Sequence, residues 1–139
     1  MFDVALKSAG AAVVLATSSD DNYPPENMID GDTQTFWAST GIFPQEFILT
    51  FTSVVNIARI ELCCSNVKNV IFEKCKDPDP LKFEKITERE LTHGDGQLQN
   101  EDISVNGAEA QHLRVVIESA YDHFISIHRI NVHGNAVRG

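Results

Sequence analysis

Short apolar or alternating runs recur along the chain, and turn-forming residues separate them. The runs are FDVAL, AAVVLAT, FILTF, VVNIARIELCC, VKNVIFEKC, LKFEKITERELT, GQLQNEDISV, AQHLRVVIES and ISIHRINVHG. The turn signals lie at positions 18–22, 65–66, 77–80, 93–96 and 106–107. This pattern is typical of strands, and no span keeps the period of a long helix. It predicts two packed antiparallel sheets of about eight or nine strands, an all-β jelly-roll sandwich.

Two of the runs have a competing interpretation. The segment EKITERELT is rich in helix-forming residues, but the odd-numbered positions from Phe83 to Leu91 alternate with three glutamates and Ile86. We interpret it as an edge strand. The N-terminal MFDVALKSAGAAVVLAT could be mistaken for a secretory signal, yet Asp3 stands where positive charge is needed and Lys7 interrupts the apolar region. We interpret this segment as two short strands.

Length and charge narrow the class of protein. A chain of 139 residues buries about two-thirds of its unfolded surface around one core, so residues 1–139 are predicted to form one domain. The formal charge of −9, from 20 acidic against 11 basic residues, disfavours nucleic acid and anionic membranes because like charges repel. No apolar run reaches the roughly 18 residues of a membrane helix. We expect a soluble, intracellular protein with no nucleic-acid partner and no direct membrane insertion.

Cysteine and histidine patterns argue against a disulfide framework, a zinc site and catalysis. Cys63, Cys64 and Cys75 show no CxxC or Cys/His spacing. Cys63 and Cys64 are expected to pack as small buried hydrophobes, and free thiols fit a reducing compartment. The histidines occur without an HExxH motif, a nucleophile elbow or a glycine-rich phosphate loop. The sequence therefore predicts that the protein is not an enzyme.

The polar segment NMIDGDTQTFW is the strongest candidate site. Asn27, Asp30 and Asp32 offer carboxylate or amide oxygens, Thr35 adds a hydroxyl, and a tight loop with glycine turns carbonyls toward one point. Calcium prefers such oxygen ligands. The alternative is a plain turn held by its own Asx hydrogen bonds, with Trp37 as a core anchor. From these residues alone, both interpretations stay open, and the turn is the simpler one.

Three stretches together resemble one known family. PPENMIDGDTQTFWASTGIFPQEFI, GDGQLQNEDI and SAYDHFISIHRI resemble the intraflagellar transport protein 25 family, and the first also resembles the wider discoidin or galactose-binding-like superfamily. The resemblance implies a non-enzymatic subunit of intraflagellar transport complex B, located in the cilium or flagellum and in the cytoplasm of the basal-body region. It further implies a heterodimer with a Rab-like small GTPase, intraflagellar transport protein 27, and contact with other complex B subunits.

The superfamily resemblance also implies a structural calcium ion beneath the IDGD loop. Carried over by position, Asp30 and Thr35 match side-chain ligands, Asn27 and Asp32 match further oxygen donors, and the stretch around His128 matches a closing carbonyl. Arg129 stands where superfamily members often have a glutamate, which alters the charge balance at the ion. The alternative function is discoidin-type carbohydrate or lipid binding, for which only Tyr23 offers a candidate exposed ring.

Overall fold

The computed structural model describes residues 2–4, 10–16, 25–30, 36–38, 43–79, 81–92, 98–122 and 125–137. These residues form eight β-strands and one short 3₁₀ helix, Pro25–Ile29. The strands are β1 (Phe2–Asp3), β2 (Ala12–Ala16), β3 (Trp37–Ala38), β4 (Gln45–Ser65), β5 (Val67–Cys75), β6 (Glu84–Glu90), β7 (Gln99–Ala120) and β8 (Ser126–Ala136).

The two longest strands, β4 and β7, pair antiparallel along most of their length. Residues 45–50 of β4 lie opposite residues 112–117 of β7, and residues 55–64 lie opposite residues 99–110. The outer partners differ between these two halves. β2 flanks the first half of β4, and β5 followed by β6 flanks the matching part of β7. β8, which also carries β1 and β3, flanks the second half of β4. The β4–β7 ladder thus belongs to both layers of the sandwich. The structure confirms the predicted jelly-roll fold.

Irregular pairing in the middle of this ladder allows the strands to change direction. Residues 51–54 of β4 oppose a single residue, Gln111 of β7, whose Nε2 donates a hydrogen bond to the Phe51 carbonyl. A second shift follows Ile57, opposite a part of β7 that contains Gly107 with φ of 74°. Such bulges bend strands and increase their twist. The predicted turn between two strands at 106–107 is therefore wrong, because these positions are an irregular part of the continuous β7.

The hydrophobic core lies between the two layers. Trp37 belongs to this core, as predicted. Trp37 and Phe47 are fully buried and meet edge to face, with ring centroids 5.6 Å apart and planes at 72°. Cys63, Cys64 and Cys75 are free and buried, and burial was predicted for the first two. Burial raises the pKa of Cys64 to about 12, so this thiol is neutral and behaves as a small apolar side chain.

The predicted peripheral strands are also confirmed. β6 lies at the end of the strand order beyond β5, and most of its side chains are exposed. Its run of charges makes pairing with another chain unfavourable. The N-terminal segment forms two short strands, of which β1 pairs with β8 and β2 with β4. Within the part of the chain that the structure describes, no helix has the length and apolar character needed to cross a membrane.

A buried glutamine closes one end of the sandwich. Gln99 is 7% exposed, and its Oε1 accepts a hydrogen bond from the Val67 N–H at 3.0 Å. Its Nε2 donates to the carbonyls of Val67 and Thr92, both at 2.8 Å. The side chain therefore pairs with both backbone groups of Val67, much as a neighbouring strand would, and ties β7 to the start of β5.

Replacement of Gln99 by leucine should lower the free energy of unfolding by about 1–3 kcal/mol, because buried backbone groups of Val67 and Thr92 lose their partner. Urea unfolding of the two proteins measures this difference. Ser104→Ala, at an exposed position of the same strand, is the control and should stay within about 0.5 kcal/mol of the wild type. Equal stability of Gln99→Leu and Ser104→Ala would show that the amide bonds contribute nothing.

Candidate functional site

The loop predicted to bind calcium is fixed at both of its ends. It leaves the 3₁₀ helix Pro25–Ile29, whose Met28 and Ile29 are buried. It returns to the sheet at β3, where Trp37 pairs with Ile127 of β8. The Asn27 Nδ2 donates a hydrogen bond to the Phe36 carbonyl at 3.0 Å, which joins the two ends directly. The loop thus begins and ends at defined positions on the sandwich.

The structure describes three of the predicted ligands, Asn27, Asp30 and His128. Asn27 is half-buried, and Asp30, directly after the helix, is exposed. Both carry oxygen atoms of the kind that calcium prefers, so the described part of the set fits a hard cation. Asp32 and Thr35 lie outside the described residues, and the complete ligand set stays a prediction. No group of three or more His, Cys, Asp or Glu side chains suited to a metal ion occurs among the residues described.

His128 lies in a β-bulge of β8, next to the returning end of the loop. Cys63 pairs with Arg129 and Cys64 pairs with Ile127, so His128 is the extra residue in the ladder. Its ring packs against the ring of Phe36, with centroids 4.8 Å apart and planes at 32°. Its Nε2 lies 3.2 Å from the Ser126 hydroxyl. The imidazole therefore makes packing contacts with the loop, and the predicted calcium ligand in this stretch is a backbone carbonyl.

A second polar group, which sequence reasoning missed, covers the outer face of β7, β4 and β8. Register places its side chains in three rows, each containing one residue from each strand. We call this group the outer lattice. Its rows, in the order β7, β4, β8, are Ser104, Arg59, His133; Asp102, Glu61, Asn131; and Asn100, Cys63, Arg129.

Charge pairing dominates the first two rows of the outer lattice. Arg59 Nη2 and His133 Nε2 both lie 2.6 Å from Glu61 Oε1, and Arg59 Nε lies 3.3 Å from Asp102 Oδ1. The hydrogen bond from Arg59 is the main cause that lowers the pKa of Glu61, partly opposed by burial and supported by His133. Alternation in RIELC predicts that Arg59 and Glu61 face outward. Only the register between distant strands brings His133 and Asp102 to them.

Comparison with known proteins places the chain in a family. No protein-family model matches it. It is 46% identical over 135 residues to the intraflagellar transport protein 25 homolog of Homo sapiens, covering 97% of this chain and 94% of that protein. The chain belongs to the intraflagellar transport protein 25 family. The family's Chlamydomonas reinhardtii protein is 39% identical over 134 residues, covering 96% of this chain and 70% of that protein.

Solved structures show that the family's fold is shared with carbohydrate-binding modules. A family 32 module from C. perfringens, in complex with galactose, matches with a TM-score of 0.79 at 13% identity, covering 94% of this chain and 97% of that one. Chitosan-binding module 1 of a chitosanase/glucanase from Paenibacillus sp. IK-5 matches with a TM-score of 0.81 at 21% identity, covering 96% and 100%. At these identities the likeness concerns the fold alone.

The contacts of Glu61 with Arg59 and His133 lead to a prediction about the stability of the protein at low pH. The folded-state pKa of Glu61 lies below its ordinary value of 4.5. The ionised carboxylate therefore makes its full contribution to the free energy of unfolding above about pH 4.5. This contribution is lost as the pH falls through the lower pKa of the folded state. Wild type should exceed Glu61→Gln in stability by up to about 1 kcal/mol near neutral pH, since the pair is partly exposed. The difference should shrink below about pH 4.5.

Urea unfolding of both proteins between about pH 7 and pH 3 tests this expectation. Glu88→Gln removes a carboxylate that pairs with Lys85 at 2.7 Å on the edge strand, and it controls for the loss of one surface charge. A Glu61→Gln difference that stays constant over the acid range would contradict the role given to the Arg59 and His133 contacts.

Proposed function

We propose that the protein is a non-enzymatic subunit of intraflagellar transport complex B. It works in the cilium or flagellum and in the cytoplasm of the basal-body region, as a heterodimer with a Rab-like small GTPase, intraflagellar transport protein 27. The observation that carries this proposal is the 46% identity to the human homolog over 97% of the chain. The match spans both layers of the sandwich, the loop ends and the outer lattice, so it is a likeness of the whole domain.

The environment of the described histidines supports a non-enzymatic role. His112 is 4% exposed, with Nδ1 at 2.8 Å from the Thr50 hydroxyl and Nε2 at 2.8 Å from the Pro78 carbonyl. His128 packs on Phe36, and His133 pairs with Glu61. Each ring therefore has a packing or hydrogen-bonding partner within the sandwich, including the Thr50 hydroxyl for His112 and the Ser126 hydroxyl for His128.

A rigid sandwich is well suited to hold a partner. Its long β4–β7 ladder crosses both layers, so its outer faces keep a fixed shape when another protein binds. A stable interface of ordinary size buries at least about 1,200 Å² in total. A domain of this kind offers that area without any catalytic centre, and the GTPase would supply the nucleotide chemistry of the heterodimer.

We further propose a structural calcium ion at the loop between the 3₁₀ helix and β3. Asp30 and Thr35 would bind it through side chains, Asn27 and Asp32 would add oxygen atoms, and a carbonyl near His128 would complete the set. Support comes from the fixed loop ends and from the bulge that carries His128 toward Phe36. An ion held in this way would join the loop to β8 and stabilise the folded state.

Coexpression with intraflagellar transport protein 27 tests the heterodimer. The two chains are expected to elute together at equal stoichiometry in size-exclusion chromatography, as subunits of a stable heterodimer do. An unrelated Rab-like GTPase serves as the control and should elute separately. Separate elution of intraflagellar transport protein 27, with retention of this chain on a glycan array, would contradict the proposal and favour carbohydrate binding.

Thermal unfolding with calcium or with chelator tests the ion. Asp30→Ala should lower the melting temperature in calcium and much less in chelator, because an ion that binds only the folded state adds about 2.7 kcal/mol at a hundred times its dissociation constant. Glu26→Ala removes a nearby exposed carboxylate of the 3₁₀ helix and should behave like the wild type in both conditions. Equal losses for Asp30→Ala with and without calcium would show that the loop is only a turn.

A further inference from the structure

The outer face of the other layer carries aliphatic side chains, unlike the outer lattice. This layer contains the first half of β4, the second half of β7, β5 and β6. Three of its strands contain an apolar run of three residues, at positions 47–49, 70–72 and 115–117. The first and last residue of each run belong to the core, and the middle ones, Ile48, Ile71 and Val116, do not. Such runs are typical of strands that are covered on both faces.

Strand pairing places two of these aliphatic residues between two carboxylates. Val116 of β7 lies opposite Glu46 of β4 on one side and opposite Ile71 of β5 on the other. Ile71 in turn lies opposite Glu88 of β6. We call Glu46, Val116, Ile71 and Glu88 the flanked row. Because residues paired in this way have neighbouring side chains, Val116 and Ile71 form one small aliphatic surface with a carboxylate at each end.

The adjacent row is better covered than the flanked row. Its side chains, in the order β4, β7, β5, β6, are Ile48, Arg114, Glu73 and Lys85. Arg114 Nε donates to Glu73 Oε1 at 2.7 Å, and its Cζ lies 4.4 Å from the centre of the Phe83 ring. Ile48 is only 7% exposed, whereas Val116 and Ile71 are half-buried. The flanked row therefore keeps aliphatic surface open to solvent.

The charges on this face are mainly negative. Four carboxylates and two cations occupy the outward positions of the flanked row and of the rows on either side of it: Glu46, Glu73, Glu88 and Glu90 against Arg114 and Lys85. Arg114 pairs with Glu73 and Lys85 with Glu88, both at 2.7 Å. A second copy of the chain, a nucleic acid or an anionic membrane would bring more negative charge to this face and be repelled.

We propose that the flanked row docks a segment of a protein partner that carries an apolar side chain between two basic ones. The apolar side chain covers Val116 and Ile71, and the basic side chains lie near Glu46 and Glu88, where opposite charges fix the orientation of the segment. The two glutamates are three strand spacings apart, about 14 Å. In an extended segment, residues i and i+4 are separated by about the same distance and face the same side as residue i+2. The expected pattern is therefore basic-x-apolar-x-basic.

Nuclear magnetic resonance titration of the full chain tests the proposal. The probe is the capped peptide acetyl-Lys-Ser-Leu-Ser-Lys-amide. It should shift the methyl signals of Ile71 and Val116 and leave those of Ile103, in the core, unchanged. Two control peptides, in which glutamates replace both lysines or serine replaces the leucine, should bind much more weakly. The first control tests the charges and the second tests the aliphatic contact.

Variants of the chain separate the aliphatic surface from the rest of the protein. The double variant Ile71→Thr, Val116→Thr should weaken binding of the lysine peptide about tenfold, because apolar groups that the leucine would cover are lost. Leu98→Ser, which removes an apolar side chain that is 43% exposed elsewhere, is the control and should leave binding unchanged. Unchanged melting temperatures show that each variant is folded.

The carboxylate variants test the row without any change to its aliphatic side chains. Glu46→Gln should weaken binding of the lysine peptide about twofold to fivefold, the range of a partly exposed ion pair. Asp102→Asn, in the outer lattice, removes one carboxylate from the opposite layer and should have no effect. Combined Glu46→Lys and Glu88→Lys should reverse the preference, so that the glutamate peptide binds more tightly than the lysine peptide.

The proposal is overturned by equal shifts with the lysine and glutamate peptides, by no shift with either, or by equal binding of the peptide without leucine. Equal weakening by Asp102→Asn and Glu46→Gln would also overturn it. Dimerisation of the free chain that the double threonine variant abolishes would assign the row to a second copy instead. The peptides contain no part of the GTPase, so none of these results depends on whether intraflagellar transport protein 27 binds.

Discussion

The pairing of β4 with β7 is the constraint on which the rest of the structure depends. Each strand takes part in both layers, and the two stay paired across the irregular region at residues 51–54. A change of register in one layer would therefore shift the pattern in the other. Burial makes such a shift costly, because a one-residue slip would turn residues such as Ile60 and Leu62 toward solvent. The ladder thus fixes the flanking strands and the outer lattice together.

β8 links the loop to the outer lattice through a single bulge. The extra residue, His128, lets two successive non-core residues follow the buried Ile127 before the core pattern resumes at Ile130. His128 contacts Phe36 at the loop, while Arg129 faces Cys63. Without the extra residue, alternation would send one of these two side chains into the core. The bulge is therefore what allows neighbouring residues to serve two different surfaces.

The sequence was sufficient for the fold class, the edge strand β6 and the core position of Trp37, because these follow from alternation and local composition. It was insufficient for the continuity of β7, since Gly107 looks like a turn residue whether it ends a strand or sits in an irregular part of one. The structural role of Gln99 could not be predicted either, because it depends on hydrogen bonds to Val67 and Thr92. Prediction of the outer lattice would have required the pairing register of three strands that are distant along the chain.

The candidate loop shows a different limit. Its residue types indicate an oxygen-rich site, and the family resemblance adds positions for each ligand. The structure supplies the fixed ends, through the bond from Asn27 to Phe36 and the pairing of Trp37 with Ile127. The atoms that these contacts join lie outside the proposed ligand atoms, although the Asn27 amide contributes to both. An ion in this loop would therefore stabilise an arrangement that the sandwich already favours, which is the role of a staple in a binding scaffold and not of a centre for chemistry.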